Sequence, residues 1–491
     1  MLDAYSARKL QKQTGAFFTS DHVAASLVSW AVRRVDDRLL DPACGDGQFI
    51  SLHRNCVGIE QNARSAHEAV QRSPAALVHE GDFFTWASKT SERFECASGN
   101  PPFIRYQAFS GDLRRRALAL CAAAGVEFSG LAASWAPFIV ATAALLKVGG
   151  RMAFVVPAEI GHAPYAAPLL EFLLRSFSSV HVIAVREKLF PKLSEDCWLL
   201  YAEGFGGRTS GFGLTIIDEF RPCKRPPPLT KMIDAEEWRS IWGRRLRPYL
   251  LPSAILRLYE AAATDPDSRR FADFASVGIG YVSGANNFFH LRPSVAKQLR
   301  IPAPFLHATV RNGRAMPNRQ ITHATVGGWK RADEQVLLLR LQRGQELPAS
   351  IRRYLNTGAG KQAQLAYKCR NREPWYVVPD VQIPDYIMTY MSGRTVSLVR
   401  NSAGVTCTNS VHSVRIRDRA LAAKLLRNWS SSFVRLSCEI EGHALGGGML
   451  KLEPREASRV LFPSENIMRG HSQELLEEAM TTMHRWRHYA E

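Results

Sequence analysis

Four short apolar runs, each ending on a polar side chain, constrain this chain more than any other feature. Arg38-Leu39-Leu40 leads into Asp41, and Cys56-Val57-Gly58-Ile59 into Glu60. Ala76-Leu77-Val78-His79-Glu80-Gly81 leads into Asp82, and Phe94 to Gly99 into Asn100. Short apolar strands separated by helical stretches are the pattern of a parallel sheet buried on both faces. Ligands of such sheets bind beyond the carboxyl ends of the strands, where these four polar residues stand. The first run continues as Asp41-Pro42-Ala43-Cys44-Gly45-Asp46-Gly47-Gln48-Phe49-Ile50, a strand, a tight turn and the start of a helix. Gly45 and Gly47 let the turn approach a ligand without a Cβ in the way. The loop lacks the GxGxxG spacing that cradles a pyrophosphate, which disfavours a dinucleotide. Glu60 follows Asp41 at the spacing where nucleotide-binding units place the acid that takes ribose hydroxyls. Asp82 is suited to accept from an adenine amine, and Phe83 to pack on that ring.

The fourth run delivers Asn100-Pro101-Pro102-Phe103. Each proline fixes its own φ and pushes the preceding residue out of the helical region, so the corner is stiff and extended. It holds the Asn100 amide and nearby carbonyls as fixed acceptors beside the flat face of Phe103. An exocyclic amine on a nucleobase is a poor nucleophile because its lone pair is delocalised into the ring. Two acceptors on its N–H groups draw it towards a tetrahedral geometry and free the lone pair for attack.

Further on, the residues predict a helix over 134–146, a strand over 149–157, a helix over 169–177, and strands over 180–185 and 197–201. The apolar run Leu131 to Leu146 contains Ser134, Pro137 and Thr142 and is too short to span a membrane, so a buried helix is expected. Thr19 or Ser20 caps a helix with apolar positions at Val23, Leu27, Val28 and Val32.

With these motifs in rank order, residues 14–205 resemble the catalytic domain of the gamma-type DNA adenine amino-methyltransferases, whose cofactor motifs precede NPPY/F. Thr14-Gly15-Ala16-Phe17-Phe18-Thr19-Ser20 is similar to their first motif, Asp41 to Phe49 to the S-adenosylmethionine loop, and Asn100 to Phe103 to the catalytic motif. Ser20 departs from the family's usual proline, and Phe103 stands where tyrosine is common. The resemblance implies that Thr19, Asp41, Ala43, Gly45, Glu60, Asp82, Phe83, Asn100 and Pro102 line the S-adenosylmethionine site. It implies that Asn100 and the Pro101 carbonyl accept from the target adenine, that Phe103 stacks on it, and that Phe190 is the second stacking aromatic. A core phenylalanine at 190 remains the alternative. No metal is implied, and duplex DNA is the expected partner, from which the base is flipped out.

The net charge of +18 is unevenly spread: residues 1–220 carry 22 Lys+Arg and 22 Asp+Glu, while residues 221–491 carry 41 and 23. A neutral half for chemistry and a basic half for a polyanion is the simplest interpretation. Arg221 to Pro228 is proline-rich and cationic. The expected organisation is therefore a Rossmann-like α/β catalytic domain over 1–220, a linker over 221–230, and a mixed α+β target-recognition domain over 231–491. Pro222-Cys223 matches the nucleophile of cytosine ring methylation but sits in the linker, so that chemistry is set aside. Val277 to Phe289, Cys369 to Tyr376 and Gly446 to Pro454 resemble segments of the family's recognition domains. Arg370, Arg372 and Asn409 are the expected DNA contacts, whereas Phe288, Phe289 and Trp375 are expected in the core. The nine cysteines form no CxxC pair and read as reduced thiols. A monomeric, cytoplasmic bacterial protein is expected, with a restriction endonuclease as a companion and no membrane contact. Two alternatives stay open: the same chemistry on RNA or a protein amide, and a DNA-binding subunit without turnover.

Overall fold

The computed structural model describes residues 19–190, 195–445, 447–469 and 473–489. Thr14 to Phe18 of the first motif, Pro191 and Gly446 lie outside them. The chain forms two compact units that meet in the sequence between Leu250 and Leu251.

The first unit is built on one sheet. Its strands are β1 (Leu39–Asp41), β2 (Cys56–Glu60), β3 (Leu77–Glu80), β4 (Phe94–Gly99), β5 (Leu146–Pro157), β6 (Phe177–Val185), β7 (Cys197–Phe205), β8 (Gly211–Ile217) and β9 (Lys231–Asp234). They lie in the order β3-β2-β1-β4-β5-β7-β6-β8-β9. β3 through β5 run parallel, with Leu40 of β1 opposite Val57 on one side and Ala97 on the other. β7 is antiparallel to both β5 and β6, and β9 is antiparallel to β8. Chain order reverses between β1 and β4. In open α/β sheets a ligand crevice forms at that point, outside the strands' carboxyl ends.

Helices cover both faces because the strands are apolar on both sides. Helix α1 (Asp21–Ala31) buries Val23, Ala24, Leu27, Val28 and Ala31, a stripe at helical spacing. That stripe joins a core with Leu39, Cys96, Ala153 and Val155. Helix α2 (Ala63–Arg72) is capped by Asn62, whose side chain accepts from the Ser65 N–H. Helix α3 (Phe83–Ala87) is capped by Asp82. Helix α4 (Gly111–Ala123) follows, and then α5 (Trp135–Ala143), buried along its whole length as expected for the apolar run. No helix among the described residues is long and apolar enough to cross a membrane.

The proline-rich stretch 221–230 lies within this first unit and is not its boundary. The Cys223 N–H donates to Ser26 Oγ at 3.0 Å, and the Pro228 carbonyl accepts from Thr215 Oγ1 at 2.9 Å. The chain then returns to the sheet as β9.

The second unit is mixed α+β. A five-stranded sheet takes the order Ala275–Ile279, Val411–Ile416, Tyr386–Thr389, Leu398–Asn401, Gln320–Ile321. A four-stranded sheet contains Leu306–Val310 and Leu337–Leu339. Phe288 and Phe289 are buried, and Trp375 packs against their cluster. Near the end, the helix Gln473–Trp486 buries Leu476, Ala479 and Met483 on one face. All nine cysteines are free, and only Cys223 is not buried. Counted over the structural units, residues 251–491 carry 33 Lys+Arg against 20 Asp+Glu, so the basic excess is concentrated there.

Candidate active site

Asp41, at the carboxyl end of β1, is 1% exposed. Its Oδ1 accepts from the Ala43 N–H at 3.1 Å, and its Oδ2 has no hydrogen-bond partner among the described residues. Burial lifts its pKa to about 8; the Ala43 N–H opposes that rise and the charge of Glu60 adds to it. The neighbouring strand accommodates this carboxyl only through a glycine: a Cβ on Gly99 would stand 2.6 Å from Asp41 Oδ1. The ends of β1 and β4 are thereby drawn together at the reversal of the sheet.

Glu60 clasps the loop after β1. Its two oxygens accept from the Gly45 N–H at 2.9 Å and the Asn62 N–H at 2.7 Å. The loop packs so closely on α2 that a Cβ at Gly47, whose φ is +90°, would sit 2.9 Å from Ala69 Cα. Above Gly45, apart from its own chain neighbours, no atom of the described residues lies within 4 Å of a Cβ position. The Asp82 Oδ1 accepts from the Thr85 N–H and hydroxyl, both at 2.7 Å, leaving Oδ2 unspent. Phe83 is 2% exposed, and its ring stacks on that of Phe138 at 5.2 Å.

Asn100 follows β4 directly. Its Nδ2 donates to Thr19 Oγ1 at 3.2 Å. Beyond it, Ser134 fixes the backbone: its hydroxyl donates to the Pro102 carbonyl and accepts from the Ile104 N–H at 2.9 Å. The Ser134 N–H donates to the Ile104 carbonyl at 3.0 Å. Sequence reasoning gave Ser134 no part in the site. The available signal was a hydroxyl heading an otherwise apolar run. Phe103 is partly buried and packs against the core cluster that contains Phe190, which is 9% exposed. Arg105 and Glu195 form an ion pair at 2.9 Å across the same region.

In the second unit the three expected DNA contacts separate. Arg372 is spent internally, donating to the carbonyls of Val282 at 2.7 Å and Ser283 at 2.8 Å, which corrects its assignment. Arg370 is exposed over the Tyr367 ring at 5.3 Å. Asn409 is exposed, with its backbone N–H donating to the Tyr281 carbonyl.

The sheet order, with β7 inserted antiparallel between β5 and β6 and an acid at each of the first strand ends, defines the fold of the S-adenosylmethionine-dependent methyltransferases. The donor set fits that cofactor: a buried carboxyl oxygen of Asp41 without a partner among the described residues, and the carboxylates of Glu60 and Asp82 at the neighbouring strand ends. Residues 244–490, about half of the chain, match the family model of the type II methyltransferase M.Eco57I, C-terminal domain, and the chain belongs to that family. S-adenosylmethionine is its cofactor. The type II methyltransferase M.XamI of Xanthomonas campestris pv. amaranthicola is 22% identical over 93% of this chain and 86% of its own length. M.AccI of Acinetobacter calcoaceticus is 18% identical over 91% of this chain and 85% of its own. The solved structure of the type IIL restriction-modification enzyme MmeI in complex with DNA aligns with 92% of this chain and 70% of that one. It does so at a TM-score of 0.54 and 13% identity, a likeness of fold.

Proposed function

We propose that the chain methylates the exocyclic amine of adenine in duplex DNA, as the modification enzyme of a restriction-modification system. The observation that carries this reading is the corner at Asn100. Its amide is oriented by Thr19 and its backbone is fixed by Ser134, at the reversal of the sheet. Ser134 occupies the Pro102 carbonyl, while no described residue hydrogen-bonds the Pro101 carbonyl. Asn100 Oδ1 and the Pro101 oxygen accept the two N–H groups of the target amine, and Phe103 takes its ring by stacking. Glu60 and Asp82 hold the cofactor's ribose and adenine, and Asp41 sits beneath its charged end. When bound, S-adenosylmethionine supplies an electrophilic methyl group to the amine lone pair in line.

A base in a duplex reaches this corner only when flipped out. Unstacking costs a few kcal/mol, and stacking on an aromatic ring returns about 1–3 kcal/mol. Phosphate contacts from the basic second unit supply the remainder. The basic second unit, and the fold likeness to MmeI, which was solved in complex with DNA, favour DNA over RNA or a protein amide.

The test is transfer of labelled methyl from S-adenosylmethionine to unmethylated DNA, RNA and total protein, followed by nucleoside analysis. N6-methyladenine in the DNA is expected. Label in RNA or protein overturns the substrate, and cofactor binding without transfer overturns the activity.

A further inference from the structure

A cleft of about 740 Å³ opens in the second unit, between the end of strand Ala275–Ile279 and the segment 367–382. Its floor is fixed. The buried Tyr281 hydroxyl is hydrogen-bonded to His290 Nε2 and Thr309 Oγ1, both at 2.8 Å. The Arg372 guanidinium pins the carbonyls of Val282 and Ser283. Gly280 lies so close to the next strand that a Cβ would stand 2.3 Å from the carbonyls of Cys407 and Thr408.

The rim is the opposite: its polar groups are unspent. Lys368, Asp380 and Gln382 are exposed and make no hydrogen bond or ion pair with any described residue. Asn371 donates from Nδ2 to the Tyr367 carbonyl at 2.7 Å, leaving Oδ1 outward. Tyr367 is 65% exposed, and two cations lie over its ring, Lys368 at 5.8 Å and Arg370 at 5.3 Å. A rigid floor under an unspent mixed rim is what base reading needs, because discrimination requires donors and acceptors held in a fixed frame.

We propose that this cleft reads duplex DNA, with Asp380 and Gln382 on base edges and Lys368 and Arg370 on the phosphates beside them. The proposal rests on the reading of the chain as a DNA methyltransferase. The chemistry matches: a carboxylate accepts from the cytosine amine, an amide pairs both edge atoms of adenine, and cations neutralise backbone charge. The unit's excess of Lys and Arg favours a polyanion over a neutral partner.

Two paired variants of the full chain test it, Asp380→Ala/Gln382→Ala and Lys368→Ala/Arg370→Ala. Melting temperature and S-adenosylmethionine affinity, which none of the four residues touches, establish that each is folded. After methylation of unmethylated genomic DNA and sequencing of the modified sites, the first pair relaxes the consensus at one or two positions. The second pair lowers affinity for every duplex about tenfold and reduces the salt slope of binding by about 2. An unchanged consensus together with unchanged affinity overturns the proposal. If the wild type transfers no methyl to DNA, the parent reading fails, and duplex binding by anisotropy still decides the cleft. Equal affinity of the wild type and the quadruple variant overturns it, as does a wild-type preference for single-stranded RNA that the variants abolish.

Discussion

Asn100 Nδ2 and Thr19 Oγ1 meet at 3.2 Å although 81 residues separate them in the chain. The contact joins the residue after β4 to the residue before the cap of α1, and it restrains the rotation of the amide. With the nitrogen held by a hydroxyl, the amide oxygen is the edge that the proposed reaction uses to accept from an incoming amine. An isolated neutral hydrogen bond of this kind contributes about 0.5–1.5 kcal/mol. Here that energy is spent on orientation.

Replacing Asn100 with Ala is expected to abolish methyl transfer while leaving DNA affinity within about threefold. Thr19→Val removes this restraint on the amide and is expected to lower kcat about tenfold, the worth of one such bond, with little change in KM for DNA. Thr19→Ser, which keeps the hydroxyl, should restore most of the rate. Steady-state kinetics on unmethylated DNA check all three, and a wild-type kcat in Thr19→Val would remove the orienting role.

Ser134 acts on the same corner from the other side. It is fully buried, and its hydroxyl serves two backbone groups at once. Ser134→Ala leaves the Ile104 N–H and the Pro102 carbonyl without that partner, at a cost of about 1–3 kcal/mol in stability. It also loosens the turn that carries Phe103. A lower melting temperature together with a lower kcat is expected. A melting temperature shift with unchanged kcat would confine Ser134 to stability.

The first four strands and the polar residues that follow them were legible because a short apolar run ending on a polar side chain leaves a local mark in the sequence. The surroundings of Phe83 and Arg372 were not. Both are decided by what lies opposite in space: Phe138 stacks on the one, and the carbonyls of Val282 and Ser283 take the other. The unit boundary was misplaced for a similar reason. Proline-rich composition marks a stretch without regular structure, and it carries no information on β9, which pairs back onto β8 beyond it. Ser134 was passed over because a serine at a helix start has an ordinary explanation as a cap. In the structure its side chain makes no capping bond within its own helix and reaches the backbone at Pro102 and Ile104 instead.

Glu60 carries two backbone N–H groups on one carboxylate. Charge-assisted bonds of this kind contribute about 1.5–3 kcal/mol each. Glu60→Ala therefore loosens the loop at Gly45 as well as removing the ribose acceptor. Cofactor affinity is expected to fall at least tenfold by calorimetry, with Glu60→Gln intermediate. Unchanged affinity in Glu60→Ala would remove the ribose assignment.

Asp41 predicts a pH dependence whose sign follows from its burial. In the unfolded chain its carboxyl titrates near 3.8, and in the folded chain at about 8. Between those values the folded protein holds a proton that the unfolded chain has lost. Stability is therefore fully present below the lower value and falls as pH rises through the window. The melting temperature of the cofactor-free protein is expected to drop from pH 5 to pH 8, more steeply than that of Asp41→Asn, which has no such proton to lose. A cation bound beside this carboxyl favours the ionised form. Cofactor binding should then release a proton and tighten as pH rises towards 8. Calorimetry in two buffers of different ionisation enthalpy measures that proton directly. Its absence in the wild type, or its persistence in Asp41→Asn, would separate Asp41 from the cofactor's charged end.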